Sequence, residues 1–288
     1  MELKSLINKF TIYQCMSFFL LILTLVSVFF YGFGADALVP VLIAAFTTTA
    51  LDLIINYHKF KTLEFPYSAF ISGLFIGGLL TQNLSWYIYA IAGVIAVLSK
   101  HLIRVHGKHV FNPANLGVLA VFLIFNAFSS WWISSPSYLV MLFGLFILWR
   151  QRRFDLAISF LAAYYILHAF IPEPATFGGM TIMRNMPMAM HSFYQSFTSQ
   201  STIFFFAMFM LIEPKTHPAA RKQRIFYGIL AALMLIGIEV YNPGFGIPFV
   251  LAVANLFVPL LNRISFEFRK KSTQTQNADF VKLNPKSL

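Results

Sequence analysis

The placement of positive charge among long apolar runs constrains this chain most. Ten apolar stretches run at about 11–31, 37–56, 66–81, 84–101, 114–129, 135–149, 154–171, 191–213, 224–241 and 246–262. A membrane-crossing helix takes about 20 mostly apolar residues, with a usual range of roughly 17–25. With the N-terminus placed inside, alternate connections hold Lys4 and Lys9, then Lys59 and Lys61, then Lys100, Arg104 and Lys108. The next inside connections hold Arg150, Arg152 and Arg153, then Lys215, Arg221, Lys222 and Arg224. The segment after the last stretch adds Arg263, Arg269, Lys270, Lys271, Lys282 and Lys286. Of the 21 Lys and Arg residues, only Arg184 falls outside. Lys and Arg collect in cytoplasmic loops, and a wrong span count would scramble the alternation downstream. The expectation is an all-α polytopic membrane protein with ten transmembrane helices. Both termini are cytoplasmic and the chain sits in the inner membrane of the cell. The third, fifth and sixth stretches are short, as tilted, broken or re-entrant segments are.

Composition supports this. Charged residues make up 11% of the chain, against about 25% in a soluble domain. That deficit excludes an ordinary cytosolic enzyme, a disordered chain and a nucleic-acid binder. The net charge of +11 follows from topology. The single cysteine, Cys15, excludes a disulfide framework and any thiolate-held zinc or iron–sulfur centre supplied by this chain alone. The first apolar run lacks a small-residue cleavage site and is long enough to span, so it reads as a helix and not as a cleavable signal peptide. Trp131 and Trp132 at the outer boundary and Trp149 at the inner one suit an aromatic belt.

An internal repeat divides the spans. Phe111-Asn112-Pro113-Ala114-Asn115-Leu116-Gly117 precedes the fifth span, and Tyr241-Asn242-Pro243-Gly244-Phe245-Gly246 precedes the tenth. An aromatic-Asn-Pro turn thus introduces the last span of each half, inside in one and outside in the other. Five spans per half force that inversion, and inverted repeats with broken helices form sites near mid-membrane at the repeat interface. The expected organisation is an N-terminal segment at 1–10, a first five-helix repeat at 11–129, a second at 130–262 and a mobile polar tail at 263–288.

Several residues carry the chemistry. On a continuing helix Lys100 and Arg104 share a face, and Asn112 and Asn115 can cap the next helix. A helix N-terminus beside such cations suits a phosphate; the bland reading is a basic loop touching lipid headgroups. His101, His106 and His109 are too loosely spaced, and too far from carboxylates, to read as a metal site. Glu213-Pro214-Lys215-Thr216-His217-Pro218 ends a long apolar helix, which Pro214 breaks. Asp52 and Glu239 lie inside spans, where ionisable groups are costly and are functional hypotheses by default. Both are candidates for an ion path, Asp52 beside the polar stripe Thr47-Thr48-Thr49. His168 reads as a packing residue. Ser68, Ser72, Gly73, Gly77 and Gly78 give a small-residue face for close helix approach. Arg184 is the topological outlier, and a bound anion would explain it.

The order Pro66-Tyr-Ser-Ala-Phe-Ile-Ser-Gly, Lys100-His-Leu-Ile-Arg, Phe111-Asn-Pro-Ala-Asn-Leu-Gly, Glu213-Pro-Lys-Thr-His-Pro and Asn255-Leu-Phe-Val-Pro resembles the NqrB/RnfD family. These are membrane subunits of the sodium-pumping NADH:quinone oxidoreductase and of the Rnf electron transport complex. The chain is also similar to UnbU-like proteins. The resemblance covers about residues 35 to 265. It implies two inverted five-helix repeats, a scaffold shared with urea transporters. It also implies flavin (FMN or riboflavin) and electron transfer coupled to Na⁺ or H⁺ movement. The site residues it points to on the inner side are Lys100, Arg104, His109, Asn112, Asn115, Glu213, Lys215 and Thr216. On the outer side they are Thr181 and Arg184. The family pattern has Asp-Pro where this chain has Glu213-Pro214. The family attaches FMN to a threonine in an Asp-x-x-Ser/Thr-Gly-Ala-Thr motif. Here that stretch ends in Thr181, but Ala175, Gly178 and Met180 replace the motif's Asp, Ser/Thr and Ala. The expectation is therefore noncovalent flavin.

Two functions compete. The first is a redox subunit that passes electrons across the membrane. It needs partner subunits, because the chain has no dinucleotide fingerprint and no cluster-ligating cysteines; quinone and membrane lipid are further expected partners. The second is a cofactor-free small-solute transporter or channel on the same scaffold. No catalytic residue is named by either.

Overall fold

Thr11 starts the first helix, α1 (Ile12–Phe30), with a capping box. Its hydroxyl accepts from the Gln14 N–H at 3.2 Å, and the Gln14 side chain accepts from the Thr11 N–H at 2.8 Å, which satisfies donors that a helix start leaves open. The computed structural model describes residues 9–61, 63–168, 170, 173–177, 180–184, 201–241 and 246–283, with side chains for 9–61, 63–168, 170, 201–240 and 246–264.

After α1 come α2 (Leu38–Phe60), α3 (Tyr67–Leu79) and α4 (Trp86–Leu102). A hairpin of β1 (Arg104–Val105) and β2 (Lys108–His109) leads to α5 (Pro113–Phe125). Next are α6 (Ser137–Gln151), α7 (Phe154–His168) and a second hairpin, β3 (Glu173–Phe177) with β4 (Met180–Arg184). A short helix α8 (Thr202–Phe205) runs into a π turn at Phe206–Met210, followed by α9 (Arg221–Tyr241) and α10 (Gly246–Leu283). The eighth stretch is thus helical only in part of its described length. Residues 263–283, expected as a mobile tail, continue α10. The second aromatic-Asn-Pro turn at 242–245, Gly178, Gly179 and residues 185–200 lie outside the described residues.

Four helical segments are long and apolar enough to cross a membrane: Ile12–Phe30, Ala35–Phe60, Arg221–Val240 and Gly246–Ile264. The apolar helices α3, α4, α5, α6 and α7 are shorter. Large apolar side chains face outward along the bundle, among them Phe30, Phe46, Leu102, Leu123 and Ile124. An outward surface of that kind suits a lipid solvent and not water.

The packing uses a recurring set of pairs. In the first half, α1 meets α3, α2 meets α3 and α4, and α4 meets α5. In the second half, α6 meets α8, α7 meets α9 and the π turn that extends α8, and α9 meets α10. Between the halves, α1 packs on α6 and α5 on α10, and the Phe75 ring of α3 stands edge-on to Phe205 of α8 at 5.7 Å.

Small residues set the closest approach. A Cβ on Gly73 would lie 2.4 Å from the Ala45 Cα, and one on Gly77 would lie 2.4 Å from the Val41 Cα. The small face of α3 therefore serves backbone-to-backbone contact with α2. Past α3 the chain is pinned: the Ser130 N–H donates to the Leu79 carbonyl at 2.8 Å and the Thr81 N–H to the Phe128 carbonyl at 3.2 Å. Irregular backbone of this sort is tolerated at depth where protein surrounds it. Trp131 and Trp132 are buried here and form no belt. The cause is a hydrogen bond: the Trp132 indole N–H donates to the Gly77 carbonyl at 3.0 Å, which the bare glycine leaves accessible. Trp149 is exposed on the surface of the bundle, as expected.

Candidate functional site

The end of the bundle that carries the basic loops holds most of the polar chemistry. Asp52, near the end of α2, is 1% exposed. Lys100 Nζ donates to its two oxygens at 3.1 and 2.9 Å, His101 Nε2 lies 2.7 Å away, and Asn56 Nδ2 donates at 3.2 Å. A buried carboxylate needs this much compensation. Two expected roles cancel here, because the proposed anion-binding lysine and the proposed ion-path carboxylate neutralise each other. The Thr48 hydroxyl donates back to the Ala44 carbonyl at 3.0 Å, within its own helix.

Arg104 does not continue the helical face of Lys100, because α4 ends at Leu102. It starts β1 instead, and its guanidinium donates to the Gly107 carbonyl. His106 and Gly107 both have positive φ, 49° and 78°. That is the two-residue turn whose twist suits a tight hairpin. The register pairs Arg104 with His109 and Val105 with Lys108. Alternation along β2 leaves Lys108 exposed and buries His109.

His109 Nε2 lies 2.9 Å from Glu213 Oε1, and the Thr216 hydroxyl donates to Glu213 Oε2 at 3.3 Å. Glu213 stands where the π turn ends and Pro214 follows, so its carboxylate leaves the helix end toward β2. Thr216 is buried and Lys215 exposed. Burial, then the Lys100 charge, push the Lys215 amine below its usual range, with Glu213 opposing and Arg104 reinforcing.

Asn112 and Asn115 meet the expectation of a cap. The Asn112 side chain accepts from the Asn115 N–H at 3.1 Å, with Pro113 at the first helical position. Asn115 Nδ2 reaches across to the Pro248 carbonyl of α10 at 2.8 Å. Asn255 completes the seam, its amide turned to satisfy both ends. Its nitrogen donates to the Tyr227 hydroxyl at 2.7 Å and the Thr216 carbonyl at 3.1 Å, and its oxygen accepts from the Asn112 N–H at 3.0 Å. The roles of Asn255, Tyr227 and His101 were missed in the sequence. The available signal was a polar residue inside an apolar helix, which Asn255 gives.

Two cavities adjoin this network. One, about 40 Å³, is lined by Tyr13, Ser68, Ser72, Phe75, Asn112, Gln151, Phe209 and Glu213, among others. It admits water-sized occupants and no ring system. The other, about 740 Å³, lies between the first hairpin, the segment around Lys215 to Ala220, and Val258–Arg263 of α10. Small-molecule sites run roughly 300–1,000 Å³.

The remaining residues lie apart. Glu239, near the far end of α9, accepts from the Tyr164 hydroxyl at 3.3 Å, with His168 Nε2 at 4.0 Å. Thr181 and Arg184 stand in β4, opposite Thr176 and Glu173 in the register, and their side chains lie outside the described ones. A further network at the basic end was not anticipated. His217 Nδ1 donates to the Pro218 carbonyl at 2.9 Å, and Arg153 Nε donates to His217 Nε2 at 3.0 Å. Arg224 pairs with Asp155 at 2.7 Å beside them. Burial pushes the His217 imidazole down to about 4.

Apolar helices packed side by side, an outward apolar surface and a polar seam between two helix pairs define a multi-pass α-helical membrane protein. The chain belongs to the NQR2, RnfD, RnfE family, which it matches twice, over residues 6–138 and 133–269. It is similar to the RnfD component of the ion-translocating oxidoreductase complex in Buchnera aphidicola subsp. Schizaphis graminum (strain Sg), at 26% identity over 106 residues. That match covers 35% of this chain and 30% of the relative.

Proposed function

We propose that this chain is a membrane subunit of an ion-translocating electron transport complex. In this reading it has ten spans in two inverted five-helix repeats, in an inner membrane, with both termini cytoplasmic. The recurring helix pairs support the repeat, as do the contacts between equivalent helices α1 and α6, α3 and α8, and α5 and α10. The double family match fits the same division. The printed role of the Buchnera relative supports the complex.

The cofactor in this reading is flavin held noncovalently at the basic end. The observation that carries it is the cleft of about 740 Å³ beside the His109–Glu213 pair. Its volume suits a tricyclic ring, whereas the small cavity at Asn112 does not. His109 and Lys215, both named from the sequence, line it. Bound flavin would supply one- and two-electron transfer. The chain's part is to bind and orient the ring and to set its potential with nearby charge. Lys108, Lys215 and Arg263 on the rim favour a negatively charged ligand. Glu213, held by His109 and Thr216, places a carboxylate at the inner edge. Glu239 faces a hydroxyl at its nearest described contact and is the better ion-path residue; Asp52 is already paired with a lysine. Na⁺ or H⁺ would be the coupling ion. Partner subunits would supply the nucleotide site and the iron–sulfur centres, with quinone as a further partner.

The test is flavin absorbance and fluorescence of the purified protein before and after denaturation. Flavin released on unfolding is the expected result. Flavin retained on the unfolded chain would make Thr181 the attachment point. A folded protein without flavin would overturn the redox reading and move attention to solute flux.

A further inference from the structure

The large cleft at the basic end has an uneven lining. Val105, Val110, Ala219, Ala220, Val258 and Pro259 give it an apolar floor. Lys108, Lys215, Arg263 and His106 stand around it with Asn262, and among the described residues no carboxylate lines it. Lys108 and Lys215 come from different segments, the first hairpin and the break after Glu213, and both are exposed. Among the described residues neither takes part in an ion pair. Elsewhere at this end the cations are partnered: Lys100 by Asp52, and Arg224 by Asp155. The positive-inside rule explains basic residues in this loop. It does not explain their convergence on one concave site from three separate segments.

We propose that this cleft is a phosphate-binding site: Lys108, Lys215 and Arg263 hold the phosphate group of a ligand whose apolar part lies on the valine and alanine floor. A phosphate brings three strong acceptor oxygens to ammonium and guanidinium donors. It would also relieve the mutual repulsion of Lys215 with Lys100 and Arg104. The tight turn at His106 and Gly107 holds Lys108 at the rim. The chemistry is shared by a phospholipid headgroup and by a soluble phosphorylated compound. The proposal rests on reading the cleft as a ligand site, not on flavin as the ligand.

The experiment uses the full chain in nanodiscs. Thermal stability is measured with inorganic phosphate, with FMN against riboflavin, and in zwitterionic lipid with and without phosphatidylglycerol. Stabilisation by phosphate, and FMN binding on the order of tenfold tighter than riboflavin, would mark a soluble phosphate ligand. Stabilisation by phosphatidylglycerol alone would mark a lipid headgroup. In either case Lys108→Gln with Lys215→Gln abolishes the effect, high salt weakens it, and Lys222→Gln, outside the cleft, leaves it unchanged. Equal binding of FMN and riboflavin with no response to phosphate or phosphatidylglycerol overturns the proposal while leaving the flavin reading intact. A response to phosphatidylglycerol without any flavin binding does the reverse. An effect that Lys222→Gln removes as strongly as the cleft variants also overturns it.

Discussion

The Asn115 side-chain amide donates to the Pro248 carbonyl at 2.8 Å, joining residues 133 positions apart. Asn112, one turn earlier in α5, meets Asn255, two turns later in α10. The two helices therefore pass each other in opposite directions, stitched by asparagines at both contacts. In an apolar surround such bonds fix register, because the alternative is a polar group without a partner.

Asn115→Ala removes one stitch and leaves a void at a fully buried position. The expected cost is about 1–3 kcal/mol. Thermal unfolding in detergent reads it directly, and an unchanged Tm would show that the contact is incidental.

Asp52→Asn leaves Lys100 and His101 facing a neutral amide. Losing one partner of a buried pair costs about 3–5 kcal/mol, while removing both is milder. Asp52→Asn with Lys100→Gln should therefore recover much of the stability that Asp52→Asn loses. Additive losses in that double-mutant cycle would refute the coupling.

His217 predicts a pH dependence. Its ring is held neutral, donating at Nδ1 and accepting from Arg153 at Nε2. The charged groups facing it are Arg153, Arg224 and Asp155. Its folded pKa is about 4, against an ordinary 6.5, so the unfolded chain takes up a proton first as pH falls. Stability therefore rises with pH across this window. It is complete above pH 6.5 and is lost as pH drops toward 4. Tm against pH for the wild type and for His217→Gln should diverge across that window. Parallel curves would contradict the assignment.

Gly73→Ala places a methyl group 2.4 Å from the Ala45 Cα. Backbone cannot move aside as a flexible side chain can, so α2 and α3 must separate. A loss of about 1–3 kcal/mol is expected, measurable as a lower midpoint of unfolding. Gly237→Ala, where nothing lies within 4 Å, serves as the control.

The helical elements were legible where a property is periodic or repeated. Apolar length located the helices, and the Asn-Pro turn before α5 announced its own cap. The Pro214 break placed Glu213 at a helix end. Pairing was not legible, because it depends on which helices adjoin. Nothing in the spacing of Asp52 and Lys100 shows that they meet, and Trp132 reads as a boundary residue until Gly77 is seen behind it. Arg104 was misplaced because the His106-Gly107 turn, which ends the helical direction early, is a two-residue signal inside a basic run.

Helices α3 and α5 have 13 residues each. At about 1.5 Å per residue they are about 20 Å long, against about 30 Å of hydrocarbon. Both are packed among neighbouring helices. If water enters the ends that these helices leave open, the membrane voltage falls over a shorter insulating layer at the core than in the surrounding lipid. The local electric field there is then about half again as strong, so a charge moved along this seam crosses the full potential in a shorter step.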